Sequence, residues 1–270
     1  MVKEMTIWYR IYEAYFMKSH FPLYKMILEK AKENGYVMMG ILDFAEHVKH
    51  HETPTRGYRI LVNRHDIDTS AKTAWYFRNI EMSVYGEEGS ASYYFRKDTC
   101  DRPDLIKQLM DDGFEPSFHY ETIADWEKNH KTKSRERIIE ASPEIKRIFV
   151  DELSTFKQKT GCECRSVASH GDFINRMYKL RNLEILHDDA LRAECGIEVE
   201  AYDSVIADNV TCRFADQDVL SGFVPSVLEA IEQHAPVISL LTHPAHWKTD
   251  WFANTANMAG RVIEGISYRI

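Results

Sequence analysis

Short apolar runs alternate along the chain with longer segments in which apolar residues recur at helical spacing. The runs predict strands over residues 36–39, 58–64, 91–96, 114–119, 164–168 and 237–241, and the spacing predicts helices over residues 22–33, 41–49, 71–84, 103–112, 143–160 and 225–234. Because the connections are short, consecutive strands are expected to pair in parallel with right-handed crossovers. The pattern predicts one barrel-like α/β domain over residues 58–270, with residues 1–57 as an N-terminal extension packed on it.

Two segments are harder to assign from their pattern. Residues 125–140 are highly charged and are predicted to lie outside the core, whereas residues 175–220 contain only short apolar runs. Within the second segment, residues 197–201, 205–206 and 210–213 are predicted to form short strands around turns.

Residues 64–68 read Arg-His-Asp-Ile-Asp and follow directly on the predicted strand at residues 58–63. Because side chains alternate along a strand, Arg64, Asp66 and Asp68 share one face if the strand stays regular. Two carboxylates this close repel each other and need a cation, a shared proton or strong hydrogen-bond donors. A divalent metal ion is the simplest such partner, and a surface turn with two solvated acids is the alternative.

The chain has 270 residues, of which 44% are apolar and 28% charged, as is ordinary for globular proteins. Its formal net charge is −8 and it has no long basic run, which argues against nucleic acid as the main partner. Charges interrupt the first 20 residues, unlike a signal peptide, and no apolar stretch approaches the length of a membrane span. We therefore expect a cytoplasmic protein with no membrane span.

The five cysteines, an odd number at irregular spacing, do not suggest a disulfide framework. Cys162 and Cys164 resemble half of a zinc site, but no second pair has matching spacing. Free thiols are the expected state.

Ionisable residues stand at the ends of four separate predicted strands. Asp66 and Asp68 end the first, and His119, His170 and His243 each end another. In a barrel, the carboxyl ends of parallel strands converge on one mouth. Carboxylate and imidazole groups suit zinc or another first-row divalent ion, and a remaining acid and histidine then serve as general base and general acid. A single histidine is more often a hydrogen-bonded structural residue, but the repeated pattern predicts a site.

Three short motifs resemble those of the polysaccharide deacetylase family, also called the NodB-homology domain or carbohydrate esterase family 4. Residues 64–68 resemble the Arg-His-Asp-Val-Asp version of the first family motif. Residues 113–119 (Gly-Phe-Glu-Pro-Ser-Phe-His) resemble the second, Gly-His-Glu-Ile-Gly-x-His, and residues 241–244 (Leu-Thr-His-Pro) resemble the last. Ser-His-Gly-Asp at residues 169–172 lies where a fourth strand end brings its loop to the site. The resemblance spans residues 58–246.

This resemblance implies a distorted (β/α) barrel of about seven strands that uses a divalent metal, with zinc as the expected ion, to deacetylate N-acetylated sugars. By motif position it implies Asp66 as the catalytic base, Asp68 and His119 as metal ligands, and His243 as the general acid. The first motif is similar to that of members associated with surface-polysaccharide or O-antigen biosynthesis. The implied substrate is therefore an N-acetylated sugar of such a polysaccharide or of its precursor.

The chain departs from the family at the second metal histidine, which lies four residues after the first and is replaced here by Ile123. We predict that His170 supplies the missing ligand, with Glu121 as the alternative. Arg64, on the face of Asp66, is predicted to lower the pKa of that carboxyl and so to belong to the catalytic site.

Three hypotheses for the function follow, and we favour the first. The protein is a metal-dependent deacetylase of N-acetylated sugars, a carbohydrate-binding barrel that has lost the chemistry, or a hydrolase of another C–N bond. Tyr120, Trp126 and Trp247 are candidate surfaces for stacking on a sugar ring, with packing in the core as the alternative. The sequence leaves the oligomeric state open.

Overall fold

A computed structural model of the chain describes residues 12, 15–51, 53 and 55–269, without the side chains at positions 253, 254, 257, 258, 261, 262 and 269. The strands are β1 (Val37–Met39), β2 (Ile60–Ile67), β3 (Ser92–Phe95), β4 (Glu115–Tyr120), β5 (Ser166–Ser169), β6 (Val199–Glu200), β7 (Cys212–Ala215) and β8 (Val237–Thr242). The α-helices are α1 (Phe21–Glu33), α2 (Ile41–His50), α3 (Ala71–Val84), α4 (Pro103–Asp111), α5 (Thr122–His130), α6 (Arg135–Glu140), α7 (Ser142–Thr160), α8 (Phe173–Tyr178), α9 (Asp189–Cys195), α10 (Ser204–Ala207), α11 (Val224–Glu232) and α12 (Trp251–Arg269).

The strands form one sheet in which all pairs among the described residues are parallel. Seven strands lie in the order β6-β5-β4-β3-β2-β8-β7, and β1 pairs with the first half of β2. The second half of β2 pairs along the same edge with β3, and β8 occupies the other edge. The sheet curls into a half-barrel, so the predicted α/β class, a distorted (β/α) barrel of about seven strands, is confirmed.

An apolar cluster fills the inner face of this half-barrel. Ile60 and Val62 from β2 pack there with Phe44 from α2. Arg64 and Asp66, two and four residues beyond Val62, lie on the same face, and both are buried. These two charged residues therefore lie next to the apolar cluster, at the carboxyl ends of the strands.

The described part of the predicted N-terminal extension contributes to the body of the fold. Strand β1 pairs with β2, and α1 packs against α3 and α11. The first 11 residues of that extension lie outside the described residues.

The prediction that residues 125–140 lie outside the core is wrong for three residues, whereas the others are exposed or partly exposed. Trp126, Glu127 and Ile138 are buried in and around α5 and α6. The charge of Glu127 is compensated by hydrogen bonds from the Lys133 backbone N–H, 2.8 Å away, and from the hydroxyl of Tyr268. The helices thus bury one side while most of their charges face outward.

Residues 205–206 lie in the short helix α10 and not in a strand, which corrects a second prediction. This helix begins after Asp203, whose backbone carbonyl accepts hydrogen bonds from the N–H groups of Ile206 and Ala207. All five cysteines are free, as predicted. Among the described residues, no helix combines the length and the apolar character needed to cross a membrane.

Candidate metal centre

Three residues from neighbouring strand ends come together at the mouth of the half-barrel. Asp68 follows β2, His119 lies in β4, and His170 follows β5. Asp68 Oδ1 is 3.7 Å from His119 Nε2 and 3.8 Å from His170 Nε2. The possible ligand atoms of all three lie within 4.8 Å of one another. We call these three residues the cation site; Ile123 is buried in α5 and has no ligand atom.

Two atoms of the cation site are buried without a hydrogen-bond partner among the described residues. They are Asp68 Oδ1 and His119 Nε2. Buried polar atoms are nearly always paired, because leaving one unpaired costs free energy. One carboxylate and two imidazoles form a donor set that suits zinc. The residues present therefore fit a divalent ion, which would satisfy both atoms.

Hydrogen bonds fix the orientation of both histidine rings. His119 Nδ1 donates to the carbonyl oxygen of Ala168 at 3.0 Å, and His170 Nδ1 donates to Glu121 Oε2 at 2.6 Å. The Nε2 atoms of both rings are thereby left for a ligand, an arrangement that is usual around metal-binding histidines. Glu121, the alternative ligand considered from the sequence, orients His170 instead.

The two histidines have different electrostatic surroundings. Burial lowers the pKa of His119 to about 4, so its ring is neutral at pH 7 and its Nε2 lone pair is available. Burial also acts to lower the pKa of His170, but its hydrogen bond to Glu121 and the charge of Asp68 outweigh this effect and raise that pKa. Protons and a metal ion compete for His170 Nε2, and the raised pKa strengthens this competition, so metal affinity should fall in acid.

Arg64 and Asp66 form a bidentate ion pair beside the cation site. Arg64 Nε is 2.8 Å from Asp66 Oδ1, and Nη2 is 2.9 Å from Oδ2. The guanidinium lies 5.3 Å from the ring centroid of Tyr94 and 4.7 Å from that of Tyr202. Burial acts to raise the pKa of Asp66, but the charges of Arg64 and nearby histidines hold it well below its usual range. Asp66 is therefore ionised at neutral pH.

His243, at the end of β8, faces Asp66 from the other side. Its Nε2 is 4.0 Å from Asp66 Oδ2, and its Nδ1 donates to Asp216 Oδ1 at 2.8 Å. Burial acts to lower the pKa of His243, but Asp216 outweighs it and raises that pKa to about 9. The ring of His243 is therefore in its protonated, positively charged form at pH 7, as a general acid requires.

Asp216 is a residue of the site that the sequence pattern did not reveal. It follows β7 in the segment that was hard to assign, and it is fully buried. Its carboxylate also accepts hydrogen bonds from His246 Nδ1 at 3.0 Å and Trp247 Nε1 at 2.7 Å. It stands directly after β7, as the other strand-end residues stand after their strands, but Arg213 interrupts the apolar pattern of β7.

Asp216, His243 and His246 form a second group among the described residues that could hold an ion. In this group, both histidines use Nδ1 to donate to Asp216 Oδ1. None of its atoms is buried without a partner, in contrast to Asp68 and His119. The cation site is therefore the better candidate.

Tyr120, Trp126 and Trp247 do not present a surface to a sugar. All three are buried, and Trp247 packs edge-on to Tyr24 with the ring centroids 5.5 Å apart. The alternative of core packing is therefore correct for all three. Tyr202, which the sequence analysis did not single out, is exposed beside Arg64.

No protein-family model matches the chain, and a search of curated proteins finds no match to it. The resemblance to polysaccharide deacetylases accordingly rests on the quoted motifs.

Proposed function

We propose that the protein is a metal-dependent hydrolase that removes N-acetyl groups from a sugar of a surface polysaccharide or of its biosynthetic precursor. The observation that carries this proposal is the pair of unpartnered buried atoms, Asp68 Oδ1 and His119 Nε2, which face His170 Nε2. An ionised carboxylate and a protonated histidine lie beside the cation site, with Asp66 Oδ2 and His243 Nε2 4.0 Å apart. Amide hydrolysis requires this combination of base and acid.

Asp68, His119 and His170 would hold a divalent ion, with zinc as the expected metal. When bound, such an ion polarises the acetamide carbonyl oxygen and stabilises the negative charge that develops on it. The neutral ring of His119 suits this role, and Asp68 supplies a negative charge to the ion.

The remaining residues move protons. Asp66 accepts a proton from the attacking water, whose oxygen forms a bond with the acetyl carbon. His243 then donates its Nε2 proton to the sugar nitrogen as the C–N bond breaks, which yields acetate and a free amine. Because the low pKa of Asp66 makes it a weak base, its contribution depends on its position, 3.4 Å from His119 Nε2. Asp216 stabilises the protonated ring of His243.

The alternative of a binding barrel without chemistry was motivated by Ile123. His170 offers a third ligand in its place, which favours the enzyme. A hydrolase of another C–N bond would use the same ionisable groups, so a screen of amide substrates separates it from a sugar deacetylase.

Asp68→Ala tests the proposal because it removes the only carboxylate of the cation site. Wild-type protein should bind about one divalent ion per chain and release acetate from N-acetylated saccharides, and the variant should do neither. Asp189→Ala, at an exposed position in α9, is the matched control and should behave as wild type. Unchanged metal content in Asp68→Ala would refute the assignment. The two measurements are elemental analysis and an enzymatic acetate assay.

A further inference from the structure

Helix α12 has an exposed apolar face. The side chains of Phe252, Ile263 and Ile266 are 91%, 66% and 54% exposed, and Ala259 is exposed as well. Because successive residues of an α-helix are about 100° apart around its axis, these four side chains share an arc of about 60°. Such a stripe on a helix is normally the side that packs against another element. We call these four residues the α12 stripe.

The other side of α12 holds the helix against the body of the fold. Glu264 Oε1 lies 2.8 Å from Lys128 Nζ of α5. Tyr268 is buried, and its hydroxyl group is 2.6 Å from that of Tyr178 in α8. The α12 stripe therefore faces away from the half-barrel, although its residues are apolar.

The N-terminal part of the chain runs antiparallel to the start of α12. The hydroxyl group of Thr249 donates a hydrogen bond to the carbonyl oxygen of Met17 at 3.1 Å. The ring of Tyr15 packs edge-on to Trp251 with the centroids 5.4 Å apart, and its hydroxyl accepts a hydrogen bond from Thr255 at 3.4 Å. As the chain is followed back from Met17 to Tyr15, its contacts therefore move forward into α12.

The chain is helical at this contact. Tyr12 and Tyr15 have helical backbone conformations, and the N–H group of Phe16 donates to the carbonyl oxygen of Tyr12 at 2.8 Å. The rings of both Tyr15 and Phe16 pack edge-on to Trp251. These contacts define the side of the N-terminal helical turn that faces α12.

The sequence before this turn is amphipathic at helical spacing. Met5, Trp8 and Tyr12 follow one another at intervals of three and four residues, which places them on the side of the turn that faces α12. Lys3 and Arg10 fall on the opposite side of the same helical pattern. A helix over these residues would therefore present apolar side chains to α12 and its basic side chains to solvent.

The length of this segment matches the length of the α12 stripe. Eleven residues precede Tyr12, and as a helix they span about 16 Å. The contact at Thr255 and the last residue of the stripe, Ile266, are separated by eleven positions of α12, which also span about 16 Å. A helix that continues back from Tyr12 therefore ends near Ile266.

We propose that residues 1–11 form a helix that lies antiparallel on α12 and covers the α12 stripe with Met5 and Trp8. A second copy of the chain is the competing occupant, and the antiparallel contacts and the matching lengths favour the chain's own segment. The proposal is independent of the proposed function. Because α12 also lines a cavity of about 630 Å³ that reaches Asp68 and His170, the segment would support one wall of that cavity.

The first test joins the segment to the far end of the α12 stripe. Met5→Cys is combined with Ile266→Cys and treated with a short bismaleimide. Met5→Cys with Ala256→Cys is the matched control, because the exposed position 256 lies about 15 Å before position 266 on the same helix. Both pairs are made in a Cys212→Ser background, since the other four native cysteines are buried.

We expect the pair at positions 5 and 266 to become cross-linked within one chain, at a yield about tenfold or more above that of the control pair. Gel electrophoresis separates cross-links within a chain from those between chains, and mass spectrometry of tryptic peptides identifies the joined residues. Cross-links formed only between chains would assign the stripe to a second copy and overturn the proposal. Equal yields from the two pairs, or no cross-link at positions 5 and 266, would overturn it as well.

A second test uses the full-length protein without cross-linking. Trp8→Ser removes an apolar side chain from the side that faces α12 and should lower the unfolding temperature by at least about 2 °C. Ile7→Ser, about 100° away around the same helix, is the matched control and should lower it by less than about 1 °C. Equal unfolding temperatures of the two variants would contradict the predicted orientation of the segment on α12.

Discussion

Strand β2 carries buried polar side chains on both faces. The side chains of the outer face contact the carboxylate of Glu81, in α3, which accepts several hydrogen bonds. Glu81 Oε1 accepts hydrogen bonds from the Tyr24 hydroxyl at 2.6 Å, Asn63 Nδ2 at 2.6 Å and His65 Nε2 at 2.7 Å. The hydroxyl of Tyr93 donates to Glu81 Oε2. We call these five residues the Glu81 network, and all of them are fully buried.

The inner face of the same strand lies at the cation site, where two buried polar atoms lack hydrogen-bond partners. Asp68 Oδ1 and His119 Nε2 lack partners among the described residues, whereas both oxygens of Glu81 have donors. Both regions contain carboxylate and imidazole groups, so residue type and burial do not distinguish them. The difference is that the Glu81 carboxylate is satisfied by the protein itself, whereas the cation site requires an external partner.

The largest effect that we predict is a loss of stability when the Glu81 network is disrupted. Glu81→Ala leaves several buried donors without an acceptor and should lower the free energy of unfolding by about 3–5 kcal/mol. Urea unfolding of the metal-free protein measures the change. Glu87→Ala, at an exposed position nearby, should change it by less than about 0.5 kcal/mol. A loss in Glu81→Ala no larger than in this control would remove the structural role assigned to the network.

A smaller effect is expected where a carboxylate supports the cation site indirectly. Glu121→Ala frees the ring of His170 and should weaken metal binding about 10–100-fold, as loss of such a supporting hydrogen bond typically does. Glu121→Gln keeps an oxygen that can accept the hydrogen bond and should lose less. Metal titration followed by calorimetry provides both affinities. Equal affinities in Glu121→Ala and wild type would show that His170 needs no such support.

The pH dependence of activity tests the pair formed by Asp216 and His243. Asp216 raises the pKa of His243 to about 9, so the general acid loses its proton, and activity falls, as the pH rises through that value. Asp216→Asn removes the negative charge and should move this alkaline limb of kcat/KM to lower pH by at least about one unit, equivalent to about 1.4 kcal/mol. An alkaline limb at the same pH in both proteins would exclude His243 as the acid.

The smallest effect is predicted for the stability of the metal-free protein after loss of Asp68. This carboxylate has an unpartnered oxygen and lies close to ionised Asp66, so Asp68→Ala should change the free energy of unfolding by no more than about 0.5 kcal/mol. Urea unfolding in the presence of a chelator measures it. A loss comparable with that of Glu81→Ala would mean that the carboxylates on the two faces of β2 contribute equally to stability, which contradicts the comparison.

Local sequence patterns were sufficient to predict that the residues of the cation site meet at the mouth of the half-barrel. Alternation along β2 places Arg64 and Asp66 on the inner face, and strand ends that share one edge bring His119 and His170 to Asp68. Both predictions depend only on the period of a strand and on parallel pairing, which the sequence records locally.

Other features depend on contacts between distant parts of the chain. Part of the hydrogen bonding that compensates the buried Glu127 comes from Tyr268, 141 positions away, and the residues around Glu127 in the sequence do not reveal that partner. Asp216 was missed because β7 has only four residues, one of them Arg213, and none of the four is fully buried. The role of Glu121 likewise depends on the loop after β5, which brings His170 within hydrogen-bonding distance.

The most direct test of the cation site is an anomalous-scattering map from crystals of zinc-loaded protein, collected at the zinc absorption edge. We expect one peak, in contact with Asp68, His119 and His170, and about one zinc ion per chain by elemental analysis. A peak on Asp216, His243 and His246 instead, or zinc-free protein after loading, would contradict it.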